Sequence, residues 1–562
     1  MGNTKKSSQN FLTGAAILSL STIIVKVIGM FYKIPLKQLI GDAGFAYFNA
    51  AYAIYTVLLV ISTTGLPVAM SRMVSEAKTL GNGKQMQRIF NTALTVYLVI
   101  GLFGTGAMVL LPNLLASVMK MPLAWYSILA LGPAVLFICI ASACRGYFQG
   151  QGDMRPTAVS QVIEALGKLI LGLGFAWLVM RYTASPALAS GATILGITIG
   201  AGFSALYVYV KYRHNRKEVS ALGGQAAPRG QTAKNLLAIA VPITIGAAGL
   251  QLINLLDEIT VTGRLIAAAE LTVQNAGNVM DRLLEIIRLD PALIQEGQTM
   301  EQAAAENAKG IYSFCQTIFN FPTAFIPCIT AAIIPAITGH LTMKDKKGVK
   351  MVQDSSLRIM SLIAMPCTFG MLVLSEPIMV LLGGYEGGKL EIAAILLALL
   401  APTILINSIS TMTTAIMQAH NHMVIPVINT LVGGLVKVAV NFILVGNPDI
   451  AIIGAPVGTF ACFLVIMVLN IFAMRRVLEE PPKLLPALWR SGLAALIMGG
   501  VAYGAYYLLG KLISSVAICC LGAIAAAVVV YLILVIVFKA ITYDDCLLLP
   551  KGEKIAKILR IS

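Results

Sequence analysis

Charge is what this sequence has least of. Only 12% of its 562 residues are Asp, Glu, Lys or Arg, the acids number 25, and histidine occurs four times and tryptophan three. So few charges cannot coat a soluble protein of this length. With 58% hydrophobic residues and a mean hydropathy of +0.84, the apolar surface exceeds what one aqueous core can bury. The bilayer is therefore the expected solvent. The nine cysteines lack metal-ligand spacing, and eight of them, from Cys139 to Cys520, sit inside apolar runs where a thiol behaves as a small hydrophobe. Neither a disulfide framework nor a metal site is expected. No A-x-A cleavage pattern follows the amino-terminal MGNTKKSSQN, so the apolar stretch after it is expected to remain as a first helix. The net charge of +16 is split among short segments between apolar runs and forms no patch, so no nucleic-acid partner is expected.

What the sequence does have is apolar runs of about 20 residues, the length that crosses a bilayer. They predict an all-α polytopic membrane protein of about fourteen transmembrane helices, beginning with 10–34 and 45–70 and ending with 486–510 and 513–539. Most of the 41 Lys and Arg fall in the segments on one side. That asymmetry predicts a cell-membrane protein, inner where there are two membranes, with an even helix count and both termini cytoplasmic.

An internal repeat organises these spans. Gln149-Gly150, Met154 and Lys168 lie over Gln418-Ala419, Met423 and Lys437 at a constant offset of 269 residues, and Pro67 lies over Pro335 at 268. The repeat unit is six helices. An even unit keeps its orientation, so the two six-helix lobes are expected to be pseudo-symmetric about an axis along the membrane normal. The predicted organisation is an amino-terminal lobe over 1–212, a cytoplasmic linker over 213–234 and a second lobe over 235–476. Two further helices within 484–540 and a tail over 541–562 follow. Aligning the first helix of each lobe leaves an acidic insertion at 264–306, whose apolar residues from Leu265 to Ile287 recur at helical spacing. An external amphipathic helix is expected there.

Ionisable groups inside a bilayer are costly and usually face a cavity or a partner. Lys26 and Lys33 are two helical turns apart and share a face, which Ser19 and Thr22 extend. Glu164 and Lys168 are an i,i+4 pair in the favoured acid-first order, and mutual neutralisation for packing is their bland alternative. The seventh helix carries Gln251, Asn254, Asp257 and Glu258. The eleventh carries Lys437 with Asn441 one turn on. Lys26, Lys168 and Lys437 would make an aqueous cavity positive, which suits an anionic headgroup such as a diphosphate. Arg72 and Glu76, with Arg145 and Gln149, end the second and fourth helices and are candidate cytoplasmic gate residues, or simply topology signals and salt bridges.

Three stretches resemble a known family: Lys26-Val27-Ile28-Gly29 with Ile34-Pro35-Leu36; Gly65-Leu66-Pro67-Val68-Ala69-Met70-Ser71-Arg72; and Arg145-Gly146-Tyr147-Phe148-Gln149-Gly150 followed by Pro156-Thr157-Ala158 and running to Glu164. The sequence is similar to the multidrug/oligosaccharidyl-lipid/polysaccharide (MOP) exporter superfamily, in its stage V sporulation protein B and MurJ-type lipid II flippase branch. The resemblance implies a MATE/MurJ-like fold with a central cavity, alternating access and a final helix pair that forms a groove for a lipid tail. It also implies a lipid-linked anionic substrate, contact with membrane lipids and a monomeric transport unit. Family members place arginine where Lys26 stands, so a cation survives here without the planar fork. They also carry a basic residue early in the eighth helix, where the matching region here reads Gln316-Thr317. Ion-coupled relatives point to Asp257, Asn441 and Thr459 for Na+ or H+, although Lys437 would repel sodium. The alternatives are a bridge from Lys437 to Asp257 that switches with state, or no metal site.

The function implied is a flippase that carries a lipid-linked oligosaccharide to the outer leaflet. A cation-coupled multidrug exporter and a non-transporting scaffold in cell-wall or sporulation assembly are the rivals. A membrane enzyme is disfavoured. Asp544-Asp545 is the only adjacent aspartate pair, and His420-x-His422 takes the place of loop residues Gln151 and Asp153 of the repeat.

Overall fold

The computed structural model describes residues 2–220, 223–272, 278–542 and 545. Among the described residues there is no strand. The first half of the chain forms α1 (Gly2–Thr63), α2 (Gly65–Thr79), α3 (Gly83–Leu110), α4 (Pro112–Val118), α5 (Trp125–Gly150), α6 (Arg155–Gly167), α7 (Leu173–Thr183), α8 (Pro186–Ser220) and α9 (Arg229–Thr272). The second half forms α10 (Val279–Leu289), α11 (Met300–Thr323), α12 (Ile326–Thr342), α13 (Lys346–Val373), α14 (Ser375–Gly383) and α15 (Gly387–Ala419). It continues through α16 (Val424–Leu444), α17 (Gly454–Val477), α18 (Leu484–Leu512) and α19 (Val516–Val537).

Among the described residues, twelve helices are long and apolar enough to cross a membrane. The first of them, Ile24–Thr79, takes in two of the expected spans, because α1 bends at Gly41. There φ is 70°, a left-handed conformation that glycine adopts without a Cβ clash. The eighth expected span, 308–337, is shared between α11 and α12, which part at Ala324 and Phe325, and neither half qualifies alone. Those two features account for the difference between twelve and fourteen.

The chain forms two compact units. One is Met1–Gly263 with Ala292–Gly310, and the other is Arg264–Pro291 with Ile311–Ser562. In the first, α5 packs against α1, α2, α3 and α8. Its small residues Ala134, Ala141, Ser142, Ala143 and Gly146 let neighbouring backbones approach closely, as membrane helices require. An aromatic seam joins the same helices, with Phe90 stacked on Tyr212 at 3.6 Å and Tyr147 set edge-on to both. Between α6 and α7 the chain makes one π turn, Lys168–Gly172.

In the second unit α15 packs on α12, α13 and α17, while α16 pairs with α17. The last two helices pack together, with α18 laid against α13, around Met365, Leu374, Ala494, Met498 and Ala523. Their outer faces leave Leu485, Leu496, Leu508, Val529 and Ile533 exposed, an apolar exterior suited to lipid. Asp545 is buried, where Arg358 Nε donates to both carboxylate oxygens at 2.9 and 3.0 Å and Nη2 donates to Oδ1 at 2.8 Å. That anchor gives the aspartate a structural task; Asp544 lies outside the described residues.

The expected insertion, 264–306, is divided between the units. It opens as a continuation of α9 to Thr272, and residues 273–277 lie outside the described residues. Then α10 buries Met280, Leu283, Leu284 and Ile287, three and four residues apart, and Asn278 caps it by accepting from the Asp281 amide at 2.8 Å.

Candidate functional site

The first unit gathers its charges among α1, α5, α6, α9 and the start of α11. Arg145, near the end of α5, turns toward α6 and α8. Its Nη2 lies 3.0 Å from Glu164 Oε2 and donates to Ser204 Oγ at 2.9 Å, while Nε donates to Ser160 Oγ at 2.9 Å. Three hydrogen bonds thus tie the guanidinium to two helices, α6 and α8. The i,i+4 spacing suggests that Glu164 could pair with Lys168, but its ion partner is Arg145. The reason is competition: Arg145 from α5 reaches the Glu164 carboxylate, while the Lys168 ammonium is taken up by Tyr52.

Lys168 instead enters an aromatic cage. Its Nζ donates to Tyr52 Oη at 3.0 Å and lies 4.8, 5.1 and 5.9 Å from the ring centroids of Tyr52, Tyr32 and Phe48. Ring faces hold an ammonium by their quadrupoles without neutralising it. Lys33, next to Tyr32 on α1 and half-buried, lies within electrostatic reach of Lys168 and of Glu258.

Lys309 was not apparent from the sequence. It stands one turn before Ser313 on α11, is 1% exposed, and its Nζ lies 2.6 Å from Glu258 Oε2 of α9. The only sequence signal was a lone lysine at the start of the eighth span, one residue inside its predicted boundary. Lys37 and Asp42, which flank Gly41, form a second buried pair at 3.4 Å that sequence reading also passed over. Within this cluster the acids Glu164 and Glu258 are each engaged by a cation. Lys33 and Lys168 have no carboxylate within ion-pair distance among the described residues.

The remaining predicted residues are more scattered. Lys26 is exposed on α1, and the side chains of Ser19 and Thr22 lie outside the described residues. On α9, Asp257 is buried, whereas Asn254 is exposed and donates to Gln251 Oε1 at 3.4 Å. Arg72 and Glu76 are exposed on α2 and Gln149 is half-buried on α5, so of the four gate candidates only Arg145 joins the ionic cluster. In the second unit, Asn441 is fully buried with its Oδ1 where a Cβ on Gly458 would stand, beside Thr459. Thr459 Oγ1 shares a hydrogen bond of 2.8 Å with Tyr312 Oη. Lys437 and Gln316 are half-buried on α16 and α11. His420 Nε2 lies 2.8 Å from Gln353 Nε2, so the ring nitrogen accepts from the amide.

Comparison with known proteins agrees with this architecture. Residues 298–516 match the family described as Lipid II flippase MurJ. Among curated proteins, Stage V sporulation protein B of Bacillus subtilis (strain 168) is 25% identical over 549 residues, covering 97% of this chain and 98% of the relative. Lipid II flippase MurJ of the same organism is 24% identical, covering 81% and 82%. Among solved structures, Lipid II flippase MurJ in an inward closed conformation aligns with a TM-score of 0.67 at 14% identity, over 93% of this chain and 98% of that one. An inward-facing MATE family transporter of the MOP superfamily aligns with a TM-score of 0.58 at 14% identity, over 81% and 97%. These two likenesses establish the fold. Residues 11–340, more than half of the chain, match the family described as Polysaccharide biosynthesis protein, and the chain belongs to that family.

Proposed function

We propose that this protein is a flippase that moves a lipid-linked oligosaccharide, a lipid-diphosphate precursor of cell wall or polysaccharide, to the outer leaflet by alternating access. The observation that carries this reading is that Lys33 and Lys168, inside the first unit, have no carboxylate within ion-pair distance among the described residues. Arg145 and Lys309 are matched by Glu164 and Glu258, which leaves the charges of Lys33 and Lys168 for a ligand. Two ammonium groups in a low-dielectric setting suit the two phosphates of a diphosphate headgroup. Lys26, exposed nearer the start of α1, would meet the headgroup on entry. The lipid tail would stay in the bilayer against α18 and α19, so only the headgroup needs shelter. Bond chemistry is not required, and a multidrug exporter of cations would need the opposite sign of charge.

Coupling to Na+ or H+ would fall to Asp257, Asn441 and Thr459, and Arg72, Glu76, Arg145 and Gln149 would form the cytoplasmic gate. If Asp257→Lys transports at the normal rate, the coupling assignment is wrong. The main test is reconstitution into vesicles with lipid-diphosphate oligosaccharides, measuring leaflet translocation with and without an ion gradient. Translocation of a diphosphate substrate, and its loss in Lys26→Ala and Lys33→Ala, is the expected result. Transport of organic cations with no effect of either substitution would replace this reading with the multidrug one.

A further inference from the structure

Glu306 is fully buried at the start of α11, and among the described residues no cation lies within ion-pair distance of it. It ends the predicted insertion and precedes the span predicted over 308–337, so it stands outside the membrane-spanning part of the chain. Its Oε2 accepts hydrogen bonds from Tyr47 Oη of α1 and from Gln298 Nε2. The Gln298 and Gln295 amides both donate to Tyr47 Oη at 2.9 Å, and Gln295 N donates to Gln298 Oε1 at 3.1 Å. From α8, the Ala187 amide donates to Gln295 Oε1 at 3.3 Å. Glu306 Oε1 has no hydrogen-bond partner among the described residues.

The charged groups of the neighbouring elements are engaged elsewhere. Lys37 of α1 pairs with Asp42, and Lys309, one turn along α11, pairs with Glu258. Glu296 is exposed and Glu301 half-buried, and α8 contributes only a backbone amide. An ionised carboxyl at Glu306 therefore sits among neutral donors, without the counterion that such burial demands. Burial pushes its pKa up to about 7, against the hydrogen bonds from Tyr47 and Gln298 that pull it down.

The segment that carries Glu306 is held at both ends. Gln295 and Gln298 fix one end to Tyr47. At the other end, Gly310 lies so close to the Asp42 carbonyl that a Cβ would overlap it. We propose that Glu306 is a proton-binding site, and that binding of one proton docks the Ala292–Gly310 segment onto α1 and α8. Docking takes a proton from solution and undocking returns it. This assignment is independent of the transported substrate.

The sign follows from linkage. A free glutamate takes its proton near 4.5 and the docked one at about 7, so the docked form binds the proton more tightly and is favoured at low pH. Its advantage shrinks by up to about tenfold per pH unit between those values and is constant above the upper one.

The experiment is hydrogen–deuterium exchange on the full chain in lipid nanodiscs, from acidic to alkaline pH, corrected for the intrinsic exchange rate. Residues 292–305 are the readout and α10 is the internal reference. Protection of 292–305 should fall by up to about tenfold per pH unit up to about pH 7 and then level. Glu306→Gln, which copies the neutral carboxyl, should stay protected at every pH. Tyr47→Phe, which removes a donor to the carboxylate, should move the fall to higher pH. A flat wild-type profile overturns the proposal. So does a Glu306→Gln profile that keeps the wild-type slope or is unprotected throughout, or a Tyr47→Phe fall that does not move upward.

Discussion

The two units hold polar groups at repeat-equivalent positions but fill them with different chemistry. At the 269-residue offset Arg145 falls on Thr414, Ser160 on Asn429 and Glu164 on Gly433. In the first unit these places make the ionic knot of Arg145 with Ser160, Glu164 and Ser204. In the second unit they make a neutral one. Asn429 Nδ2 donates to Asn470 Oδ1 at 2.8 Å, and Asn470 Nδ2 donates to Thr414 Oγ1 at 3.0 Å and to Thr413 Oγ1 and the Ser410 carbonyl at 3.3 Å. Both knots cross-link helices inside an apolar surround, where an unpaired polar group is expensive. On the proposed function, the ionic knot stands beside Lys33 and Lys168, the lysines assigned to the anionic headgroup. The repeat would then keep a cross-link in both halves and place more of the ligand chemistry in one.

The largest break in that contrast should come from the buried pair of Lys309 and Glu258. Lys309→Ala leaves a buried carboxylate uncompensated, and should lower stability by about 3 kcal/mol and abolish translocation. The paired change Glu258→Gln with Lys309→Met should recover most of the stability, read by thermal unfolding in detergent, but not the transport. Recovery of transport in the pair would show that this ion pair serves packing alone.

Next in size is a comparison of the knots themselves. Arg145→Met strands the Glu164 carboxylate and removes the donor to the Ser160 and Ser204 hydroxyls, at a cost of about 2 kcal/mol, and should also impair transport. Asn470→Leu should cost about 1 kcal/mol and leave translocation close to the wild-type rate, because interhelical neutral hydrogen bonds in membrane proteins are individually modest. Equal losses of transport in the two variants would erase the functional difference between the units.

Much of this was legible in the sequence, and the reasons are local. The fourteen spans follow from apolar run length, and the repeat from residues that keep their spacing. Arg145, Glu164 and Lys168 stood out because charge is scarce in an apolar run. The partners were not legible. Sequence spacing allowed Glu164 to reach Lys168 but could not reveal the competing arginine nineteen residues back, nor the tyrosine of α1 that takes the lysine. Nothing in the sequence singles out Tyr32, Phe48 and Tyr52, because a cage is defined only once α1 lies beside α6. Lys309 and Glu258 are far apart in the chain, and each stood close to a predicted helix end, where a charge that snorkels to water is the simpler expectation. Glu306 was hidden for the same reason: in the sequence it is one acid among several in an acidic insertion, and burial alone sets it apart.

A finer contrast is between the two lysines that the repeat aligns, Lys168 and Lys437. Lys168→Met keeps an apolar stem among the three rings and removes only the charge and its bond to Tyr52. Stability should therefore change by less than about 1 kcal/mol while translocation falls at least about tenfold, the loss of one charge-assisted contact to phosphate. Lys437→Met, in the unit whose knot is neutral, should reduce translocation less.

The smallest effect belongs to the exposed ion pairs. Lys346 and Glu479 lie 2.6 Å apart, with both side chains mostly in water, and the hydrogen bond and charge of the lysine lower the glutamate's pKa. In high dielectric such a pair gains little over two hydrated ions. Lys346→Ala should leave the unfolding temperature and the translocation rate unchanged within error. A measurable loss of transport would mean that this second-unit loop takes part in the cycle, and that the ligand chemistry is less confined to the first unit than its buried charges indicate.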